Sequence, residues 1–138
     1  MKGTVRALFV VPEKKAAAVP LQEVRAAAAG FEGDFHTRTP ANRRQILMVS
    51  SEVLNEFTLS PGSLFENMVV DGIDVMALAA GSQLRVGETL LEVTIPCEPC
   101  IQMNRVRSGL KAGLEGKRGM FARVVTGGII RIGDEVSF

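Results

Sequence analysis

At 138 residues, with 46% hydrophobic and 22% charged side chains, the chain is long enough to bury one packed core and too apolar to remain disordered. Sixteen Lys and Arg against fifteen Asp and Glu leave a net charge of +1, which excludes a nucleic-acid or membrane-surface binder that attracts through bulk charge. Seven Phe with neither Trp nor Tyr also leave few polar-edged rings on which exposed bases could stack.

No apolar run approaches the roughly 18 residues that span a bilayer. The opening segment carries Lys2 and Arg6 without a signal-cleavage pattern, so the expectation is a cytoplasmic location with no membrane partner. In chain order, strand-like runs fall at residues 4–11, 45–49, 68–70, 83–86, 89–95, 120–125, 129–132 and 135–138. Gly and Pro punctuate them at Gly30, Gly33, Pro61-Gly62, Gly72, Gly81, Gly87, Pro96, Gly127-Gly128 and Gly133. Short strands with frequent turns predict a mainly β fold, a barrel or sandwich, formed as one domain over residues 1–138.

The tail reads as a hairpin, Phe121-Ala122-Arg123-Val124-Val125 turning at Thr126-Gly127-Gly128 into Ile129-Ile130-Arg131-Ile132. Two helical stretches interrupt the strands. Ser50 or Ser51 caps the first, which runs to Phe57; residues 106–114 form a weaker second one despite Gly109 and Gly113. Residues 22–29 are ambiguous, because their alanines favour helix while the flanking Pro20 and Gly30 suit a strand.

Chemistry concentrates at Cys97-Glu98-Pro99-Cys100, directly after the apolar run 90–95. Two cysteines three apart in a chain that needs no stapling argue against a structural disulfide framework. A thiolate is a nucleophile and a soft metal ligand, and Arg105, Arg107 and Lys111 are near enough in sequence to lower its pKa if the fold turns them inward. Structural zinc requires a second pair of Cys or His ligands, and the chain has one histidine. Thioredoxin-like exchange places its motif early, beside a βαβ unit, not late among short strands. Two half-buried cysteines packing as small hydrophobes remain open on spacing alone.

Three further segments are candidates. Gly30-Phe31-Glu32-Gly33-Asp34-Phe35-His36 joins two glycines, an acid and the only histidine, with Arg38, Arg43 and Arg44 following; such a loop is either an anion-binding cradle or an ordinary solvated run. Pro61-Gly62-Ser63-Leu64-Phe65-Glu66-Asn67 is a turn whose Glu66 and Asn67 either orient a ligand or bond the backbone. Gly116-Lys117-Arg118-Gly119 is a solvated turn or a phosphate contact.

These segments, taken in order with Arg44-Gln45-Ile46-Leu47, Leu84-Arg85-Val86-Gly87, Gly119-Met120-Phe121-Ala122-Arg123-Val124 and Gly133-Asp134, resemble the MOSC family, named for the C-terminal domain of molybdenum-cofactor sulfurases. The likeness runs from about Thr4 to Val136. It implies a β-barrel-like fold with a few short helices, and it favours a strand at residues 22–29. Cys100 matches the cysteine that ligates molybdenum in the family's reductases of N-hydroxylated compounds, or that receives sulfur in its sulfurases. His36, Arg44, Glu66, Asn67 and Arg123 would line the same pocket. Within it, His36 or Glu66 would supply protons, and Arg44 and Arg123 would contact the phosphate of a molybdopterin cofactor. Cys97 has no counterpart and is a spectator or a resolving thiol.

Where many members read Gly-Asp-Arg-His, this chain has Gly33-Asp34-Phe35-His36, one arginine fewer for a phosphate. The resemblance brings no pyridoxal phosphate, flavin or iron-sulfur site, so electrons or sulfur would come from an external reductase or cysteine desulfurase.

Overall fold

A computed structural model describes residues 2–38 and 42–138. The strands are β1 (Lys2–Val10), β2 (Val19–Leu21), β3 (Glu23–Ala27), β4 (Gly30–Phe31), β5 (Ile46–Ser50), β6 (Met68–Asp71), β7 (Gln83–Val86), β8 (Thr89–Pro96), β9 (Met120–Thr126), β10 (Gly128–Arg131) and β11 (Glu135–Ser137). Three short helices accompany them, α1 (Ser51–Glu56), α2 (Met103–Val106) and α3 (Leu110–Gly113), with 3₁₀ turns at Phe35–Arg38 and Val75–Ala77. No helix among the described residues is long and apolar enough to cross a membrane.

Seven strands close on themselves in the order β11-β7-β8-β9-β5-β6-β1, with β1 pairing back to β11 through Gly3 opposite Val136. Closure removes the exposed edges of the sheet. β2 extends the wall beyond β1, and β10, β3 and β4 form a separate three-stranded sheet. β5 and β6 are parallel, Val49 opposite Val69, and α1 lies in the crossover that parallel neighbours require.

The run Ile46-Leu47-Met48-Val49 is buried throughout because both of its faces are covered. Ile46 and Met48 point into the barrel among Leu8, Met68 and Val93. Val49 points outward into a second apolar cluster with Phe9, Leu54, Met103, Leu110 and Leu114. A strand buried on two sides reads as a continuous apolar run, not as an alternation. Val5 and Leu8 both reach the inner core, although strict alternation would send them to opposite faces; a register shift against β6 between Val5 and Ala7 provides the extra residue.

Two sequence expectations change, and one ambiguity is resolved as the family resemblance implied. The tail is not a hairpin: β9 pairs with β8 and β5, whereas β10 pairs with β3, Ile130 opposite Val24. The chain leaves one sheet for the other at Gly127, where a β-carbon would stand 2.6 Å from the Ala26 carbonyl oxygen. That contact excludes any side chain while the two sheets keep this separation. The helix expected over 106–114 is instead two short pieces, α2 ending at Val106 and α3 starting at Leu110, separated by an extended Arg107 and by Gly109 with a φ of +81°. Residues 23–27, within the ambiguous segment, are strand, since their Val24 and Ala26 fill the core and burial overrides the helical preference of alanine.

Gly127→Ala should lower the urea midpoint by the equivalent of about 1–3 kcal/mol, the usual cost of forcing extra volume into a packed site; an unchanged midpoint would show that the sheets separate freely there.

Candidate functional site

The rim of the barrel where β1, β5 and β6 diverge is organised around one buried carboxylate. Asp34 Oδ1 accepts from the Val11 amide at 2.8 Å and from Asn67 Nδ2 at 2.9 Å. Its Oδ2 accepts from the His36 amide at 3.1 Å and lies 2.6 Å from His36 Nδ1. Burial alone would raise the Asp34 pKa, but the His36 ring, the Val11 amide and Asn67 together hold the carboxyl below its ordinary value. An ionised carboxylate only accepts, so His36 Nδ1 donates and Nε2 is left for other work.

Asn67 completes the junction. Its Oδ1 accepts from the Leu47 amide at 2.9 Å and its Nδ2 also donates to the Phe9 carbonyl at 3.2 Å. Asn67 thus joins β1, β5 and the entry to β6, and its side chain is fully engaged and buried. Glu66, next to it, is equally buried; Oε2 accepts from the Gly62 amide at 2.7 Å and Oε1 from the Leu64 amide at 3.0 Å. Its carboxyl staples the turn over residues 61–66. Burial pushes the Glu66 pKa up, against those two amides and the charge of Arg118.

Over this frame opens a cavity of about 240 Å³, with an apolar lining that includes Val11, Leu47, Phe65 and Phe121. His36 lines it, its ring 4.0 Å from that of Phe35 and edge-on to Phe121 at 5.8 Å. Both thiols line it as well, Cys97 half-buried and Cys100 exposed, and neither is in a disulfide. They arrive as a continuation of β8: Pro96 pairs with Met120 and the Cys97 amide donates to the Gly119 carbonyl at 2.9 Å. The same pairing brings the turn before β9, with Arg118, beside Cys97. Burial pushes the Cys97 thiol pKa up, while the Arg118 and Arg44 charges work in the opposite direction.

The predicted residues therefore divide. Cys100 and His36 share the cavity, and Arg44 is near enough to act on Cys97. Glu66 and Asn67 are structural neighbours that do not line it. Arg123, on the outer face of β9, binds Glu92 through Nε and Oε1 at 2.7 Å and also lies outside the lining. Three basic residues outside the set that the resemblance places in the pocket, Arg118, Lys14 and Lys15, do line the cavity. Only Arg118 carried a signal, as an unresolved choice between a solvated turn and an anion contact.

Fold and site define a small closed-barrel module with a thiol-bearing, basic pocket at its rim. The model of the MOSC domain matches residues 35–137, and the chain belongs to that family. Its fold is similar to that of the YuaD protein from Bacillus subtilis, with a TM-score of 0.85 at 23% identity over 99% of this chain and 94% of that one. It is also similar to YiiM from Escherichia coli, with a TM-score of 0.76, 21% identity and coverage of 99% and 69%. YiiM from Geobacillus stearothermophilus gives 0.79, 19%, and 97% and 73%. No curated protein matches the sequence.

Because its folded-state pKa lies below the ordinary 3.8, Asp34 stabilises the fold fully above that value and ceases to do so as pH falls through the lower one. Asp34→Asn should cost about 1–3 kcal/mol at pH 7, the range for a broken charged hydrogen-bond set. Denaturation at pH 7 and pH 3 should show a smaller acid loss in the variant than in wild type.

Proposed function

We propose that this protein holds a molybdenum cofactor through the thiolate of Cys100 and acts in the reduction of N-hydroxylated compounds. The observation that carries the reading is the lining of one cavity by the Cys100 thiol and by a buried arginine, Arg118, whose Nε and Nη1 have no acceptor among the described residues. A soft anionic donor suits molybdenum, and unpaired guanidinium N–H groups suit the negative charge of a pterin-dithiolene ligand with its phosphate. On those two counts the residues present fit the group.

When bound, the cofactor would supply two-electron reduction, with electrons from an external reductase. The chain's own contributions are donor, charge and proton. Cys100 is the protein ligand, and Arg44 adds positive charge near Cys97. His36, with Nδ1 fixed on Asp34, moves a proton at Nε2. Glu66 is the weaker proton carrier, since each of its oxygens is taken by a backbone amide. Arg123 contributes to phosphate binding only if it leaves Glu92.

One feature favours a second reading. Cys100 is exposed while Cys97 is half-buried, and an accessible thiol suits a carrier that takes a persulfide sulfur from a cysteine desulfurase and passes it on. Turnover of an N-hydroxylated base with an artificial electron donor separates the two, because a carrier gives none.

Protein made in cells that synthesise the cofactor should contain molybdenum by elemental analysis. Cys100→Ser should lose it, or lose persulfide labelling, with the fold retained, because a hydroxyl lacks the soft donor. Cys97→Ser should largely keep both. Loss in Cys97→Ser alone would overturn the assignment, and equal loss in the two variants would indicate a coupled dithiol.

A further inference from the structure

Cys97 and Cys100 line one cavity but are held differently. Cys100 is exposed, Cys97 is half-buried, and neither is in a disulfide. They are close enough for a charge on Cys100 to act on Cys97. Cys97 is anchored by its amide, which donates to the Gly119 carbonyl at 2.9 Å, and Cys100 by its carbonyl, which accepts from the Met103 amide at 2.9 Å. Between those anchors the backbone is free to bend. Residues 97–100 belong to no helix or strand, Pro99 has no N–H, and among the described residues the Glu98 and Cys100 amides have no backbone acceptor. The Cys97 thiol makes only a long contact of 3.8 Å, to the carbonyl of its neighbour Glu98, so among those residues no side chain ties it away from Cys100.

Exposure divides the work between the two sulfurs. The accessible thiol is the one that a sulfur donor reaches, and a sheltered neighbour reacts with what that thiol has already taken up. The Cys-X-X-Cys spacing is one that opens and closes as a disulfide in thiol-exchange proteins. Here the sheltered member ends a paired strand, so its backbone stays in place while the unpaired segment carries Cys100 toward it.

We propose that Cys97 is the resolving thiol of Cys100: it displaces the sulfur species that Cys100 has accepted, so that a persulfide there is discharged as hydrosulfide and the two cysteines close as a disulfide. The inference rests on the carrier reading and deepens it by adding the step that empties the carrier. Cys97 Sγ, as the thiolate, attacks Cys100 Sγ. The bond from Cys100 Sγ to the terminal sulfur breaks as the bond between the two cysteine sulfurs forms; the terminal sulfur leaves with the electron pair as hydrosulfide, and the proton of Cys97 goes to water. The departing sulfur has gained two electrons, and the cysteine pair is left two electrons more oxidised than two thiols. A dithiol reductant restores the free thiols and completes the cycle.

The test uses the full chain with both thiols reduced, and two probes. With one equivalent of dithiobis(nitrobenzoate), wild type should release two equivalents of nitrothiobenzoate and end as an intramolecular disulfide, two hydrogens lighter by mass spectrometry. Cys97→Ser should release one and keep the other as a stable mixed disulfide. After exposure to inorganic polysulfide, wild type should again end as the disulfide with hydrosulfide released, whereas Cys97→Ser should hold one extra sulfur and lose it at least about tenfold more slowly, because an intramolecular attack has been removed. Cys100→Ser, left with the sheltered thiol, should react with either probe about tenfold more slowly than Cys97→Ser. A wild type that stops at one equivalent overturns the inference, as does a Cys97→Ser that discharges sulfur as fast as wild type or a Cys100→Ser that reacts as fast as Cys97→Ser. Wild type that closes its disulfide with the first probe but takes no sulfur from polysulfide would sink the carrier reading and leave the resolving role of Cys97 standing. A wild type that keeps the extra sulfur would do the reverse.

Discussion

A carboxylate taken out of water is tolerated only when its lone pairs are met, and Asp34 meets them with donors from three separate parts of the chain. The Val11 amide fixes the end of β1, Asn67 ties in β5 and β6, and His36 is held by its own backbone and ring. Each partner depends on the others. Asn67 reaches Asp34 with its Oδ1 on the Leu47 amide and its Nδ2 shared with the Phe9 carbonyl. The rim of the barrel, and with it the ring that lines the cavity, is therefore set by a buried polar network and not by apolar packing alone.

The barrel wall does the remaining positioning. β5 is buried on both faces, so the helices α2 and α3 can pack outside it through Met103, Leu110 and Leu114 and hold the segment that follows the cysteines. The antiparallel pairing of β8 with β9 then continues one step past the sheet, through the Cys97 amide and the Gly119 carbonyl. Residues about twenty apart in sequence thus become neighbours: the thiols end one strand and Arg118 precedes the other.

This arrangement explains how a chain with a net charge of +1 can present a basic site. Several acids are paired elsewhere, Glu92 with Arg123, Glu56 with Lys117 and Glu13 with Arg38, Asp34 and Glu66 are engaged by backbone amides, Asn67 and His36, and Glu98 alone acts on Cys97 from beside the thiols. What lines the cavity is cationic or apolar, apart from thiols and an amide. Local segregation of charge gives the lining of this cavity a basic character that no composition figure reports.

The sequence by itself determined the mainly β class, because short apolar runs bounded by Gly and Pro form strands in almost any packing. It also indicated a short helix from Ser50 or Ser51, and the family resemblance directed attention to Cys100, His36 and four further residues, Arg44, Glu66, Asn67 and Arg123. Tertiary structure decided the rest. Whether residues 129–132 pair with their sequence neighbour or with β3 is a choice that spacing does not make, and the observed pairing with β3 needs the close approach that only a glycine at 127 allows. Glu66, Asn67 and Arg118 look alike in sequence, as polar residues near turns. Their roles diverge because backbone amides reach Glu66 and Asn67 but, among the described residues, a single carbonyl reaches Arg118. Which buried polar group is satisfied, and which is left facing a cavity, depends on contacts between distant segments, and that is information periodicity and spacing do not carry.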